Sequence, residues 1–452
     1  MLVPFYTRVF SVNDFGYVAN IFSYIAILNV IFSAGFESGY FKFSSTLEVG
    51  TKKQNFSHPF IIIFINSLFF CSLIFFNPGI VANFFQIPGN FNFLLKYTSL
   101  ILFFDAICLI PFAKLRLERK AKKFGIIKII NIVINVGMNF LLVFYFKMGI
   151  EAVLIANVIA SAATFLILIP IVFTNLEFTY NKKLMKELFA FSLPVLPSGI
   201  STNIIQVIDR PVMLFLAGSA MVGIYQANYR LGIFMMLFVS VFDFAWRPFF
   251  LSNANSPDAK QLFSKVMTLF ILAGSLIFIF ISVFLNEIVL LIGKNFRSGL
   301  YIVPVILIAY LFNGIYINLM AGIYIQKKTR HSAVVTFIAA AANVIFNFLL
   351  IPAYGMMGAA IATLISYIIM AGGLYMYSQK NYPVEYEFKK IILIFVSAIG
   401  LYSIYYYLSS MMNIPVYAKI IFPSAFVILM PLLGIINLKN IKALISKNNN
   451  AV

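Results

Sequence analysis

The residues of this sequence that could do chemistry are ionisable side chains set in apolar runs. Glu37, Asp105, Lys128, Asp209, Arg210, Arg230 and Asp243 lie inside such runs, and Arg8 and Lys42 lie at run ends. A charge inside a bilayer costs several kcal/mol unless it meets a counter-charge or a water-filled cavity, so each is a functional candidate by default. Guanidinium stays charged and offers parallel N–H donors that match phosphate oxygens. Arg8, Arg210 and Arg230 around one cavity would suit an anionic headgroup such as a diphosphate, and they are the candidate substrate-binding residues. Asp209, Asp243, Asp105, Glu37, Lys42 and Lys128 are candidates for ion coupling or charge pairing, with H+ or Na+ as the coupling ion. A structural alternative stands beside this: Asp209 and Arg210 are adjacent, and one of them neutralising another helix's charge would be a clasp.

The elements that must position these charges are membrane helices. The chain has 452 residues, 62% hydrophobic and 10% charged. Soluble domains carry about 25% charged residues. This excludes a soluble enzyme, a disordered chain and a coiled coil. Cys71 and Cys108 lie in apolar runs and read as buried small hydrophobes. His58 and His331 stand far apart, and no His/Cys/carboxylate group has metal-ligand spacing, so no metal and no cofactor is expected. There is no G-x-x-x-x-G-K-[ST] phosphate loop and no G-x-S-x-G, so neither ATP hydrolysis nor acyl transfer is expected.

Apolar runs of spanning length fall near 16–41, 59–84, 93–113, 125–146, 152–174, 189–217, 222–246, 266–292, 301–326, 332–351, 358–378, 391–408 and 416–437. Met1 to Thr7 reads as the end of a further span. Counting Lys and Arg by alternate loops separates them strongly. One set holds Lys42, Lys52 and Lys53, the 114–123 loop, Lys182–Lys186, Arg247–Lys265, Lys327–Arg330, Lys380–Lys390 and the tail's Lys439, Lys442 and Lys447; it far outnumbers Arg8, Lys96, Lys147, Lys294, Arg297 and Lys419. By the positive-inside rule the 114–123 loop and the C-terminus face the cytoplasm. Most of the net charge of +19 is then orientation signal against anionic lipid, and nucleic acid is not an expected partner.

The chain repeats itself. NVGMNFLL at 135–142 and NVIFNFLL at 343–350 agree at six of eight positions at an offset of 208. Gly16–Asn20 is echoed by Gly223–Asn228 at nearly the same spacing, and an arginine ends the apolar run before each, at Arg8 and Arg210. Six spans per repeat return the chain to its starting side, which predicts two lobes related by a pseudo-twofold axis along the membrane normal, with the binding site between them. The expected fold is therefore an all-α polytopic membrane protein: an N-terminal lobe at 1–175, a cytoplasmic linker at 176–188, a C-terminal lobe at 189–378, and two further spans with a cytoplasmic tail at 379–452. KKLMKELFAF (182–191) mixes charged and apolar residues as an interfacial helix would. Prolines 194, 197 and 211 bracket the seventh span and predict a bent helix. Only a stub precedes Arg8, whereas about twenty mostly apolar residues precede Arg210, so the first helix reads as truncated.

At VPFYTRVFSVNDFGYVANIFSYIAILNVIFSAGFESGYFKF (3–43) the sequence resembles the start of the Wzx-type polysaccharide and O-antigen flippases of the MATE-like MOP superfamily. IDRPVMLFLAGSAMVGIYQANYRLG (208–232), FDFAWRPFF (242–250) and IPAYGMMGAAIATLISY (351–367) extend the resemblance over nearly the whole chain. It implies a two-lobed bundle in the bacterial cytoplasmic membrane that moves undecaprenyl-diphosphate-linked oligosaccharide from the inner to the outer leaflet. The related lipid II flippases carry cavity arginines; Arg8 falls on their first-span arginine and Tyr229-Arg230-Leu231 on their eighth-span motif. The truncated first helix and the Glu37/Lys42 pair depart from the pattern. Polysaccharide polymerase, glycosyltransferases and membrane lipids are the implied partners.

Three other functions fit the composition less well. A cation-coupled MATE-like exporter would prefer an acidic or aromatic cavity. A polymerase would carry a large outer loop, and a scaffold for glycosyltransferases would tolerate loss of the intramembrane arginines. No constellation for catalysis is present, and the chain reads as a transporter rather than an enzyme.

Overall fold

The computed structural model describes residues 2–435 except 86, 327 and 329. Lys327 and the basic tail at Lys439, Lys442 and Lys447 lie outside them. Among the described residues there are helices and no strands. This is what apolar segments without water partners for their backbone must form. Eleven helices among the described residues are long and apolar enough to cross a membrane.

In chain order the helices are α1 (Val3–Val9), α2 (Val12–Ser33), α3 (Phe36–Thr46), α4 (Lys52–Phe76), α5 (Pro78–Phe85), α6 (Asn92–Leu117), α7 (Ala121–Phe140), α8 (Glu151–Asn175), α9 (Lys182–Ser192), α10 (Leu196–Val207), α11 (Asp209–Ala217), α12 (Ser219–Tyr229), α13 (Ile233–Ser252), α14 (Ala259–Val283), α15 (Leu285–Ile288), α16 (Val303–Ile325), α17 (Arg330–Asn381), α18 (Phe388–Met411) and α19 (Ile421–Leu432). The apolar run at 16–41 is two helices, because Ala34 and Gly35 both take left-handed backbone angles. The runs at 332–351 and 358–378 are joined in the 52-residue α17, which bends at Pro352 and at Gly355 (φ 54°). The proline-bracketed run is α10 and α11, entered through a tight turn at Leu193–Val195 that contains Pro194 and divided at Ile208.

The chain divides into two compact units, one of residues 1–226 with 340–359 and the other of residues 227–339 with 360–435. In the first, α6 packs against α4 and α8, α7 against α8, and α10 and α11 along α2. In the second, α14 packs against α16, α18 and α19, and α13 against α16. There Trp246, Phe250 and Phe263 form a buried aromatic cluster, and the Trp246 indole N–H donates to the Asn318 carbonyl at 3.2 Å.

The linker segment is the helix its pattern predicts. In α9, Leu184 and Leu188 are fully buried, with α3 and α4 alongside. Asn181 caps it, accepting from the Leu184 N–H. His58 Nε2 accepts from the Asn181 N–H at 3.0 Å, while its Nδ1 lies 2.9 Å from the Gln54 carbonyl. These contacts assign a neutral imidazole with the proton on Nδ1.

Repeat-related segments share local structure. Asn139 Nδ2 donates to the Asn135 carbonyl, and Asn347 Nδ2 donates to the Asn343 carbonyl, both at 2.8 Å. The turn after each takes a left-handed residue at the same 208 spacing, Lys147 (φ 52°) and Gly355 (φ 54°). The second echo is more direct. A methyl group on Gly16 would strike the Ser219 carbonyl, and one on Gly223 would strike the Val12 carbonyl. Each glycine thus faces the residue four before the other, and α2 and α12 cross backbone to backbone. Ser219 Oγ seals the crossing by donating to Asn13 Oδ1 at 3.0 Å.

Gly16→Val and Gly223→Val are each expected to destabilise the protein by about 1–3 kcal/mol, the usual cost of overpacking. Once one valine has parted the helices, the second costs less, so the double variant falls short of the sum. Thermal unfolding of the purified single and double variants measures this. Additive losses, or none, would contradict the crossing.

Candidate functional site

Arg210 lies at the start of α11, where its neighbour Asp209 is 1% exposed and Arg210 itself 4%. Its guanidinium donates from Nη1 to Asp209 Oδ1 at 2.7 Å and from Nε to Gln226 Oε1 at 2.9 Å. Tyr225 donates its hydroxyl to Asp209 Oδ2 at 2.6 Å, and the Tyr225 ring lies 5.6 Å from the guanidinium carbon. Asp209 thus accepts on both oxygens, and Arg210 bonds residues of its own helix and of α12. Adjacency in sequence was the visible signal for this clasp. Gln226 and Tyr225 were not, because they come from the next helix.

The other arginines differ. Arg8, in the last turn of α1, and Arg230, in the tight turn after α12, are both exposed. Beside Arg230 the Tyr310 hydroxyl donates to the Tyr229 hydroxyl at 3.1 Å, and Asn228 Nδ2 donates to the Phe296 carbonyl at 2.7 Å.

The remaining intramembrane charges resolve as follows. Glu37 forms an ion pair with Arg116. Asp243 accepts from Nε and Nη2 of Arg247, one helical turn away, at 2.8 and 3.0 Å. Lys42 lies between the rings of Phe43 and Phe191, and Lys128 sits 4.4 Å from the Phe112 ring centre. Asp105 accepts from the Ser161 hydroxyl at 2.7 Å. One pair escaped sequence reading: the buried Lys419, only 5% exposed, donates to the half-buried Glu287 at 2.8 Å and ties the approach of α19 to α15. The two are 132 residues apart, so no local pattern joins them.

At the positively charged end of α6, Glu118 pairs with Lys114 at 2.6 Å and Lys120 at 2.7 Å. Burial alone would raise its pKa, but the hydrogen bonds and charges of the two lysines outweigh this and hold it below the ordinary glutamate value of 4.5. A depressed pKa stabilises the folded state above that value and loses the contribution as pH falls through the folded pKa. Wild-type melting temperature is therefore expected to drop more steeply than that of Glu118→Gln on acidification below about pH 4.5. Parallel curves would contradict it.

The comparisons with known proteins bear on what these residues serve. Residues 5–292 match the family described as polysaccharide biosynthesis protein. The chain belongs to that family. It is 25% identical over 302 residues to the capsular polysaccharide biosynthesis protein CapF of Staphylococcus aureus, covering 64% of this chain and 75% of that one. An uncharacterized membrane protein of Methanocaldococcus jannaschii is 24% identical over 244 residues, covering 51% of this chain and 46% of the relative, so the match spans about half of that protein's length.

Solved structures agree on the fold. The lipid II flippase MurJ in an inward closed conformation matches with TM-score 0.74 at 19% identity, over 95% of this chain and 94% of that one. An inward-facing multidrug resistance MATE transporter of the MOP superfamily matches with TM-score 0.63 at 14% identity, over 84% and 97%. The chain is therefore a multi-pass membrane protein of the polysaccharide biosynthesis family, and it shares the fold of these solved flippase and transporter structures.

Proposed function

We propose that this member of the family is a Wzx-type flippase. It moves undecaprenyl-diphosphate-linked oligosaccharide from the inner to the outer leaflet of the bacterial cytoplasmic membrane by alternating access, with the C-terminus in the cytoplasm. The observation that carries the reading is the family match together with exposed guanidiniums at Arg8 and Arg230. Among the candidate arginines these two retain exposure, and a diphosphate is the group their bidentate geometry grips best. Arg210 serves the reading differently, as the buried clasp that fixes α11 against α12. The expected lobes, 1–175 and 189–378, are the moving parts, and the assembled sugar passes to polymerase on the outer face.

The energetics need no ATP. Each negative charge moved outward against a cytoplasm-negative potential gains about 2.3 kcal/mol per 100 mV. Export of surface polysaccharide in a strain deleted for its own flippase and complemented with this chain tests the function. Restored surface polymer is expected, and a strain that accumulates lipid-linked units inside despite normal protein would contradict it.

A further inference from the structure

In the second unit, the first turns of α14 and the loop at 382–387 enclose a cavity of about 630 Å³, within the usual size range of ligand pockets. Its walls are held in place. Ser264 Oγ donates to the Glu385 carbonyl at 2.7 Å. Gln379 bonds Val384 twice, donating from Nε2 to the carbonyl at 2.7 Å and accepting from the N–H at 3.0 Å. Glu387 is spent on both oxygens, with Thr268 at 2.8 Å on one and Lys390 on the other.

The remaining charges that line the cavity are Lys260, Lys265 and Glu385. Among the described residues, no hydrogen bond or ion pair engages the Glu385 carboxylate or the Lys265 ammonium. Lys260 lies 5.3 Å from the Tyr382 ring centre. Two ammonium groups and one carboxylate complement a ligand that carries a phosphate and an ammonium together. A purely anionic ligand would be repelled by Glu385, which is a device for rejecting it.

What such a ligand is attached to follows from the neighbourhood. α14 and α18 are both of spanning length, and the cavity lies where they begin. An apolar cavity of about 340 Å³ opens one turn further along the same face of α14, where Met267 stands three residues after Ser264, and Phe388, Ile391 and Phe395 of α18 also line it. A Cβ on Gly372, another residue of this second cavity, would meet nothing within 4 Å. A compartment of both signs at the ends of two spans, continued by a dry one between them, matches a zwitterionic amphiphile. On the proposed orientation this end is cytoplasmic.

We infer that the two cavities form a site for a phosphatidylethanolamine of the inner leaflet, with Lys260 and Lys265 taking its phosphate, Glu385 its ammonium, and the apolar cavity an acyl chain. The site rests on the chain's placement in a membrane and not on the flippase reading.

The test counts the lipids retained by the purified full-length chain, using native mass spectrometry after release from nanodiscs of equal phosphatidylethanolamine, phosphatidylcholine and phosphatidylglycerol. Phosphatidylethanolamine is expected to be retained about tenfold over phosphatidylcholine, whose trimethylated head keeps the phosphate but offers Glu385 no N–H. It should also exceed phosphatidylglycerol, whose head has no cation. Glu385→Gln should erase the preference for ethanolamine over choline while the protein folds normally, since that side chain holds nothing in place. Lys260→Ala with Lys265→Ala should lower retention of both lipids alike, and Gly372→Phe, which fills the apolar cavity, should do the same from the other end. Chain-free glycerophosphoethanolamine should not compete. Preference for phosphatidylglycerol would reduce the site to a basic patch and overturn the assignment. Equal retention of the three lipids, or a preference that survives Glu385→Gln, would overturn it as well. So would full competition by glycerophosphoethanolamine, which marks a soluble zwitterion, or displacement by undecaprenyl diphosphate, which marks a substrate path.

Discussion

Arg8→Ala and Arg230→Ala are each expected to cut surface-polysaccharide export at least tenfold while protein level and membrane insertion stay close to wild type. Both side chains are exposed, so neither truncation opens a buried void. What each loses, on the flippase reading, is a charge-assisted contact to the diphosphate. Such contacts contribute about 1.5–3 kcal/mol, roughly ten- to a hundredfold in affinity. Lysine at either position should restore export in part, since it keeps the charge but loses the planar pair of donors. Quantifying surface polymer against immunodetected protein in membranes reads the effect. Wild-type export from both alanine variants would remove these residues from the substrate path.

Arg210→Ala is expected to behave in the opposite way, with protein level falling first. Removing the guanidinium leaves Asp209, 1% exposed, with only Tyr225 and the Arg210 backbone N–H as partners. Breaking a buried ion pair from one side costs about 3–5 kcal/mol. Export then fails through loss of folded transporter. The double substitution Asp209→Asn with Arg210→Gln removes both charges and should recover most of the folded protein and, with it, export. A double variant that folds normally yet exports nothing would return Arg210 to the headgroup.

These two predictions separate arginines that looked alike in sequence. Composition and apolar periodicity made the helices readable, because a bilayer tolerates little else. The duplication was readable too, since Asn135 and Asn139 recur as Asn343 and Asn347 and make the same bond one turn back. Where a charge finds its partner was not readable. Glu37 and Arg116 are 79 residues apart, and the residues that answer Arg210 come from α12. Nor could spacing show that the prolines at 194, 197 and 211 divide one run into a turn and two helices. Asp105 was visible as an intramembrane acid, but the polar residues that share its cavity, Asn29, Lys128, Asn131 and Ser161 among them, sit on α2, α7 and α8. Only packing reveals which of them share a cavity with it.

The central claim is that this chain by itself carries a polyprenyl-diphosphate-linked sugar across a bilayer through Arg8 and Arg230. The most direct measurement is flipping of a fluorescent undecaprenyl-diphosphate-linked oligosaccharide in liposomes holding the purified protein, read by loss of the fraction protected from an impermeant quencher. The account predicts that protein-dependent flipping empties the protected pool, and that Arg8→Ala and Arg230→Ala leave it near the level of protein-free liposomes. A protected pool that stays full with wild-type protein, or that empties equally with the two alanine variants, would contradict it.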